Sequence, residues 1–165
     1  MITRKPMEEK LYEEWGLKTA EGIRNKIFEN YSGDATLKTI LDAEKLVVCS
    51  YALGRILSSP EVRLKVAQLR RFYEALLTIR AIIGTIRKKP KVDADESFKT
   101  MVRNKILMLK PRLADAKARQ PREVTPFFEV INPLIDMVRD IEDYDRLCEF
   151  VEAIVAYHRY CGGRD

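Results

Sequence analysis

Apolar residues recur every three or four positions along nearly the whole chain, and no stretch alternates with the two-residue period of a half-buried strand. The clearest run lies between residues 60 and 88, where Val62, Val66, Leu69, Tyr73, Leu76, Ile79, Ile83 and Ile86 form one stripe. A stripe of that kind belongs to an amphipathic helix packed on a core. Ser59-Pro60-Glu61 supplies a start signal for it: a capping hydroxyl, a proline for the first helical position, and an acid for the positive helix end.

Five further segments read the same way. Residues 8–30 place Leu11, Trp15, Ile23 and Ile27 at multiples of four, with Gly16 and Gly22 weakening the pattern. Ser32-Gly33-Asp34 is a turn. Residues 36–57 carry an apolar face through Leu37, Ile40, Leu41, Val47, Val48, Tyr51 and Ile56. After Lys88-Lys89-Pro90-Lys91 and a polar linker at 92–96, a helix is expected over 97–120, kinked at Pro111. Pro121 and Pro126 bracket an expected loop, and a short helix at 127–139 holds Pro133 near its first turns. The last helix spans 143–161 and stops at Gly162-Gly163, which suits a left-handed cap. The expectation is an all-α fold, a compact bundle of five to six helices in one domain over residues 1–165.

No apolar run reaches the ~20 residues that a membrane helix needs. The start, Met1-Ile2-Thr3-Arg4-Lys5, leads to Glu8-Glu9 and not to the apolar core of a secretory signal. Cys49, Cys148 and Cys161 are odd in number and lack metal-like spacing, so free thiols in a reducing cytoplasm are expected.

Charge is spread unevenly. Residues 1–60 hold 9 basic and 9 acidic side chains, residues 61–122 hold 17 and 6, and residues 123–165 hold 4 and 10. A formal net charge of +5 therefore conceals a basic middle beside an acidic end. The middle block calls for a polyanion, and a nucleic acid is the commonest one. Projected at 100° per residue, Lys99, Arg103, Lys110 and Lys117 form one stripe of the 97–120 helix, and Lys105, Arg112 and Arg119 form a second. Phe98, Val102, Ile106, Leu109, Leu113 and Ala116 lie between them as an apolar seam. Heptad steps rise ~10.5 Å, so one stripe can meet several phosphates. Arg70-Arg71 adjoins Phe72-Tyr73, a pairing that suits stacked bases. The neighbouring Leu69, Leu76 and Leu77 favour a core place for the two aromatics and leave the arginines exposed.

Catalytic groups are scarce. The one histidine, His158, lies beside the apolar seam of the last helix, where a structural role is the simpler expectation. There is no phosphate-cradling glycine loop and no Cys/His cluster. Asp136, Asp140, Glu142, Asp143 and Asp145 gather at a helix junction, where capping and solvation compete with Mg²⁺ binding. An acidic patch of this kind can also dock on the basic patch of another copy.

Three segments together resemble one family. They are Gln68-Leu69-Arg70-Arg71-Phe72-Tyr73-Glu74, then Leu-Met-Leu-Lys-Pro-Arg-Leu-Ala-Asp-Ala-Lys-Ala-Arg over 107–119, then Phe-Val-Glu-Ala-Ile-Val-Ala-Tyr-His-Arg-Tyr-Cys-Gly-Gly over 150–163. In order and spacing they are similar to the small all-helical subunit of the type III-A CRISPR effector, the Csm complex. The likeness covers roughly residues 40–163. Residues 1–35 find no counterpart and read as an N-terminal extension helix. The family usually has an aromatic where Asp115 stands, and this chain departs from that pattern.

The resemblance implies a non-catalytic RNA-binding subunit in antiviral defence, with no cofactor. Its copies stack in an inner filament and touch a guide RNA–target RNA duplex, chiefly the target strand, or single-stranded RNA. Its partners are the other Csm subunits and further copies of itself, with a homodimer in isolation left open. By match to the motifs the RNA-binding candidates are Arg70, Arg71, Lys110, Arg112, Lys117 and Arg119. Lys99, Arg103 and Lys105 join them from the helical projection alone. A different expectation stays open beside this one: a helical assembly adaptor that binds partner proteins and not RNA.

Overall fold

The computed structural model describes residues 4–165, so Met1, Ile2 and Thr3 lie outside the described residues. Among the described residues every regular element is helical. They are α1 (Met7–Trp15), α2 (Ala20–Ile27), α3 (Leu37–Ile40), α4 (Ala43–Ser58), α5 (Val66–Ile86), α6 (Lys91–Ser97), a π turn (Phe98–Val102), α7 (Arg103–Leu107), α8 (Leu109–Arg119), α9 (Pro121–Asp136) and α10 (Ile141–Tyr160). The all-α class stands, but the expected count of five to six helices is too low.

The extra elements have local causes. Gly16 adopts φ 64° and ends α1: its N–H reaches Glu13 O at 3.2 Å, and the Leu17 N–H reaches Tyr12 O at 3.2 Å. That is a left-handed C-terminal cap, and it splits the expected 8–30 helix in two. Asp42 splits the 36–57 helix, because its extended backbone breaks the helix while its carboxylate accepts the Lys45 N–H at 2.9 Å to start α4.

Ser59 does not open α5. Its hydroxyl donates to Ile56 O at 2.7 Å, closing α4 instead. Arg63 takes φ 54°, and the Leu64 N–H returns to Leu57 O at 2.9 Å, so residues 59–65 form a tight reversal and α5 begins at Val66.

The expected linker at 92–96 is helical, as α6, because Pro90 is placed just before its first turn. Pro111 acts upstream of itself. It offers no N–H to Leu107 O and its ring crowds that carbonyl, so the helix breaks at Met108 and restarts with Pro111 inside the first turn of α8. Pro121 opens α9 and does not bound a loop, which leaves Pro126 and Pro133 inside that helix.

The core centres on α4 and α10. Cys49, Ala52, Leu53 and Leu57 of α4 and Leu147, Phe150, Val151 and Ile154 of α10 are fully buried. The two helices cross at Gly54, where an added Cβ would lie 2.8 Å from His158 N and 2.8 Å from Tyr157 Cβ. Three buried polar groups then tie α10 to its surroundings. The Asp143 carboxylate accepts the Leu37 N–H at 3.1 Å and the Arg139 N–H at 3.0 Å. The Tyr144 hydroxyl donates to Leu76 O of α5. His158 Nε2 donates to Leu64 O at 2.7 Å. No helix among the described residues is long and apolar enough to cross a membrane. Cys49 and Cys148 are buried thiols, pushed up by burial to about 12 and about 11, and Cys161 is free and half-buried.

The crossing yields a paired prediction. Gly54→Ala should destabilise the fold by about 1–3 kcal/mol, because backbone and not a flexible side-chain tip must move. Gly84→Ala on α5, with nothing within 4 Å of the new methyl group, should stabilise by about 0.5–1 kcal/mol. Urea unfolding of both variants checks the contrast, and equal effects would refute the close crossing.

Candidate nucleic-acid interface

The two cationic stripes do different things. In the first, Arg103 Nη1 donates to Val138 O at 2.6 Å, Lys110 pairs with Asp136, and the Lys117 ammonium lies 4.5 Å from the centroid of the Phe128 ring. Asp136 and Phe128 lie on α9 and Val138 lies just beyond it, so these three cations face α9. Lys99 lies inside the π turn itself, ahead of these three. More residues fit in each π turn than in an α turn, so the 100° projection loses its phase there. Lys99 lines another cleft with Arg87, Lys89, Lys91 and Arg139, whose charge is offset by Asp95, Asp140 and Glu142.

The second stripe is open. Lys105, Arg112 and Arg119 are exposed, and α5 contributes the exposed Arg71 opposite them. Lys105, Arg112 and Arg71 line one groove with Glu74, Thr78 and Ile79, three cations to one carboxylate. Arg71, Arg112 and Arg119 line the adjoining one with Leu69, Phe72 and Phe127. Arg119 has one carboxylate neighbour, Asp115 at 3.0 Å one helical turn before it, with 72% and 67% of the two side chains exposed. Pairs that open to water are weak and leave the cation available. Neither Arg71 nor Arg112 pairs with a carboxylate among the described residues. Arg70 is exposed beside Arg71 but lines neither groove.

Of the nine sequence-derived candidates, then, Arg71, Lys105, Arg112 and Arg119 come together. Arg70 sits beside them, Arg103, Lys110 and Lys117 turn to α9, and Lys99 lies elsewhere. The other cations around Lys99 are not among the nine, although the Lys88-Lys89-Pro90-Lys91 run is their visible signal. Phe72 and Tyr73 pack half-buried against the core, and Phe72 meets Phe127 edge to face at 5.2 Å between ring centroids.

The acidic junction is occupied by structural work. Asp136 holds Lys110, Asp145 holds Arg87, Asp140 caps α10 by accepting the Asp143 N–H at 2.8 Å, and Asp143 accepts two backbone N–H groups. Among the described residues no three His, Cys, Asp or Glu side chains gather as a metal site requires. His158 is fully buried in the core.

Residues 41–164 match the family model described as Csm2 Type III-A. The chain belongs to that family. It is thus a small subunit of the type III-A Csm complex and associates with other subunits of that complex. No curated protein and no solved structure matches it. The Csm2 match takes in α4 to α10 and both grooves, and leaves out α1, α2 and α3, although Ile23, Ile27, Leu37 and Ile40 of the latter two are fully buried.

His158 also makes stability depend on pH. Burial holds its ring below the ordinary range, the Leu64 hydrogen bond opposes that shift, and the Arg159 charge adds to it. Nδ1 has no hydrogen-bond partner, so the folded ring is neutral with its proton on Nε2. Above the unfolded value of ~6.5 both states are neutral. As pH falls through that value the unfolded chain takes up the proton first, and stability is lost. Asp143, raised by burial, works in the opposite sense at lower pH. The thermal midpoint should fall between pH 7.5 and 5.5. In His158→Gln, less stable at pH 7.5, the fall should be shallower. Parallel profiles would exclude His158 as the cause.

Proposed function

We propose that this Csm2 chain is a non-catalytic RNA-binding subunit whose contact surface is the α5–α8 groove edged by Arg71, Lys105, Arg112 and Arg119. The observation that carries this reading is the partition of the cations: one stripe is engaged by α9, while the other is exposed across from Arg71. Cations with no carboxylate partner can neutralise phosphates and release counterions, and they do so whatever the base sequence. The guide–target RNA duplex in the effector complex is the proposed polyanion, and Arg70 extends the surface along α5. Lys110, Lys117 and Arg103 serve it by fixing α8 and the segment before it against α9. The copies stack in an inner filament, with the exposed Glu142, Glu149 and Glu152 of α10 turned to neighbouring protein.

A second reading, a helical adaptor for partner proteins, draws on the exposed Met101 and Met108 near Lys105, apolar side chains that suit a protein contact. Co-purification with other subunits after nuclease treatment separates the two. RNA-bridged contacts disappear and direct ones persist.

Charge reversal tests the leading reading. Lys105→Glu with Arg112→Glu should weaken binding of every single-stranded RNA sequence about equally. For every phosphate no longer neutralised, the slope of log affinity against log salt should also shrink by roughly 0.7. Lys110→Ala should lower the thermal midpoint and leave that slope nearly unchanged. A wild-type affinity that is flat between low and high salt would refute contact through phosphates.

A further inference from the structure

The groove shared by Arg71, Arg112 and Arg119 is more than a cationic track. Between α5, α8 and the start of α9 it deepens into a cavity of about 320 Å³. Pockets for small ligands run from ~300 to 1,000 Å³, so this one admits a single flat group. Its floor is apolar and buried: Leu69, Leu113, Val124 and Phe127. Two small side chains, Ala75 from α5 and Ala116 from α8, leave the space between the walls unfilled. Phe72 adds a half-buried ring, edge to face with Phe127.

The mouth is polar. Gln68 accepts the Lys65 N–H through Oε1 at 3.3 Å, which leaves its amide N–H groups to point elsewhere. Gln120 is exposed at the other end. Arg71 and Arg112 stand on the side that continues into the Lys105 groove, and Arg119 stands toward Gln120 with its exposed partner Asp115, which also lines the cavity.

We infer that this cavity takes one unstacked nucleobase of the bound RNA strand, while the arginines on either side hold the phosphates flanking it. The inference rests on the RNA-binding reading above. A nucleobase combines what the site offers partners for. Its faces are apolar and stack on aromatic and aliphatic side chains, its edge exchanges hydrogen bonds with amides, and it is joined to a phosphate on each side. An apolar side chain of a protein partner would fill the floor equally well, but it would leave two unpaired arginines and an amide at the mouth without partners. The two glutamines offer donors and acceptors alike, so the site tolerates different bases.

The test compares two strands of equal charge: single-stranded oligouridine and the same ribose–phosphate strand with its bases removed. Wild-type protein should bind the base-bearing strand about tenfold tighter at fixed salt. Ala116→Phe, and independently Ala75→Phe from the opposite wall, should abolish that difference. Both should preserve affinity for the abasic strand and its salt slope, and that preserved binding also certifies that each variant is folded. Equal wild-type binding of the two strands overturns the base-insertion inference and leaves the phosphate reading intact. No binding of either strand overturns both. If the base preference survives both filled variants while association with partner subunits is abolished, the cavity is a protein-docking site and the inference fails.

Discussion

The fold depends on how closely α4 and α10 approach one another. At Gly54 there is no room for even one carbon beyond the backbone, because the Tyr157–His158 segment of α10 occupies that space. Two helices in such contact behave as one rigid beam, and dense packing leaves little freedom to slide. The remaining elements are positioned by reference to that beam. Asp143 fixes α3 and the residues before α10, Tyr144 fixes α5, and His158 fixes the reversal at residues 59–65. The Val66 N–H, which starts α5, also reaches Arg164 O at 3.0 Å. The register of α5 is therefore set from the C-terminal end of the chain, and with it the place of Arg71.

The electrostatic arrangement follows from how α8 is seated. Its apolar seam, Leu109 and Leu113, must face inward, and that alone splits its cations to two sides. On the side where α9 lies, cations gain an acid, a backbone carbonyl nearby and an aromatic face. On the side toward α5 they share a groove with Arg71 and the exposed Glu74, and none of Lys105, Arg112 and Arg71 forms an ion pair among the described residues. Four acids of the last block, Asp136, Asp140, Asp143 and Asp145, are engaged in internal tasks at the α9–α10 junction. For that reason they do not cancel the basic groove.

Much of this is legible from residue patterns. The three-and-four spacing indicates the all-helical class and the buried faces, and Gly162 does take the left-handed form, at φ 100°. Helix ends are less legible, for reasons of competition. The Ser59-Pro60-Glu61 start signal is overridden because Leu64 returns to Leu57 and to His158, contacts that no local rule registers. Pro111 reads as a kink at its own position, whereas its missing N–H and its ring act on the carbonyl four residues earlier. The projection finds both stripes, but only the seating of α9 reveals which one is covered. Lys99 leaves its stripe because a π turn is invisible to a projection that assumes one uniform angle.

That π turn carries an implication for how the chain can vary in length. It is one residue out of step with the α-helical segments on either side. Removing a single residue from Phe98–Val102 would restore a plain helix and swing α6 by about 100° relative to α7. Ala94 and Phe98, both buried, would then turn away from the core, and the exposed Val92 and Met101 would rotate to new positions. A neighbouring insertion would produce the same mismatch in the opposite sense. Substitutions on the exposed face of this segment should be well tolerated, but single-residue insertions and deletions should not, so its spacing is constrained more tightly than its composition.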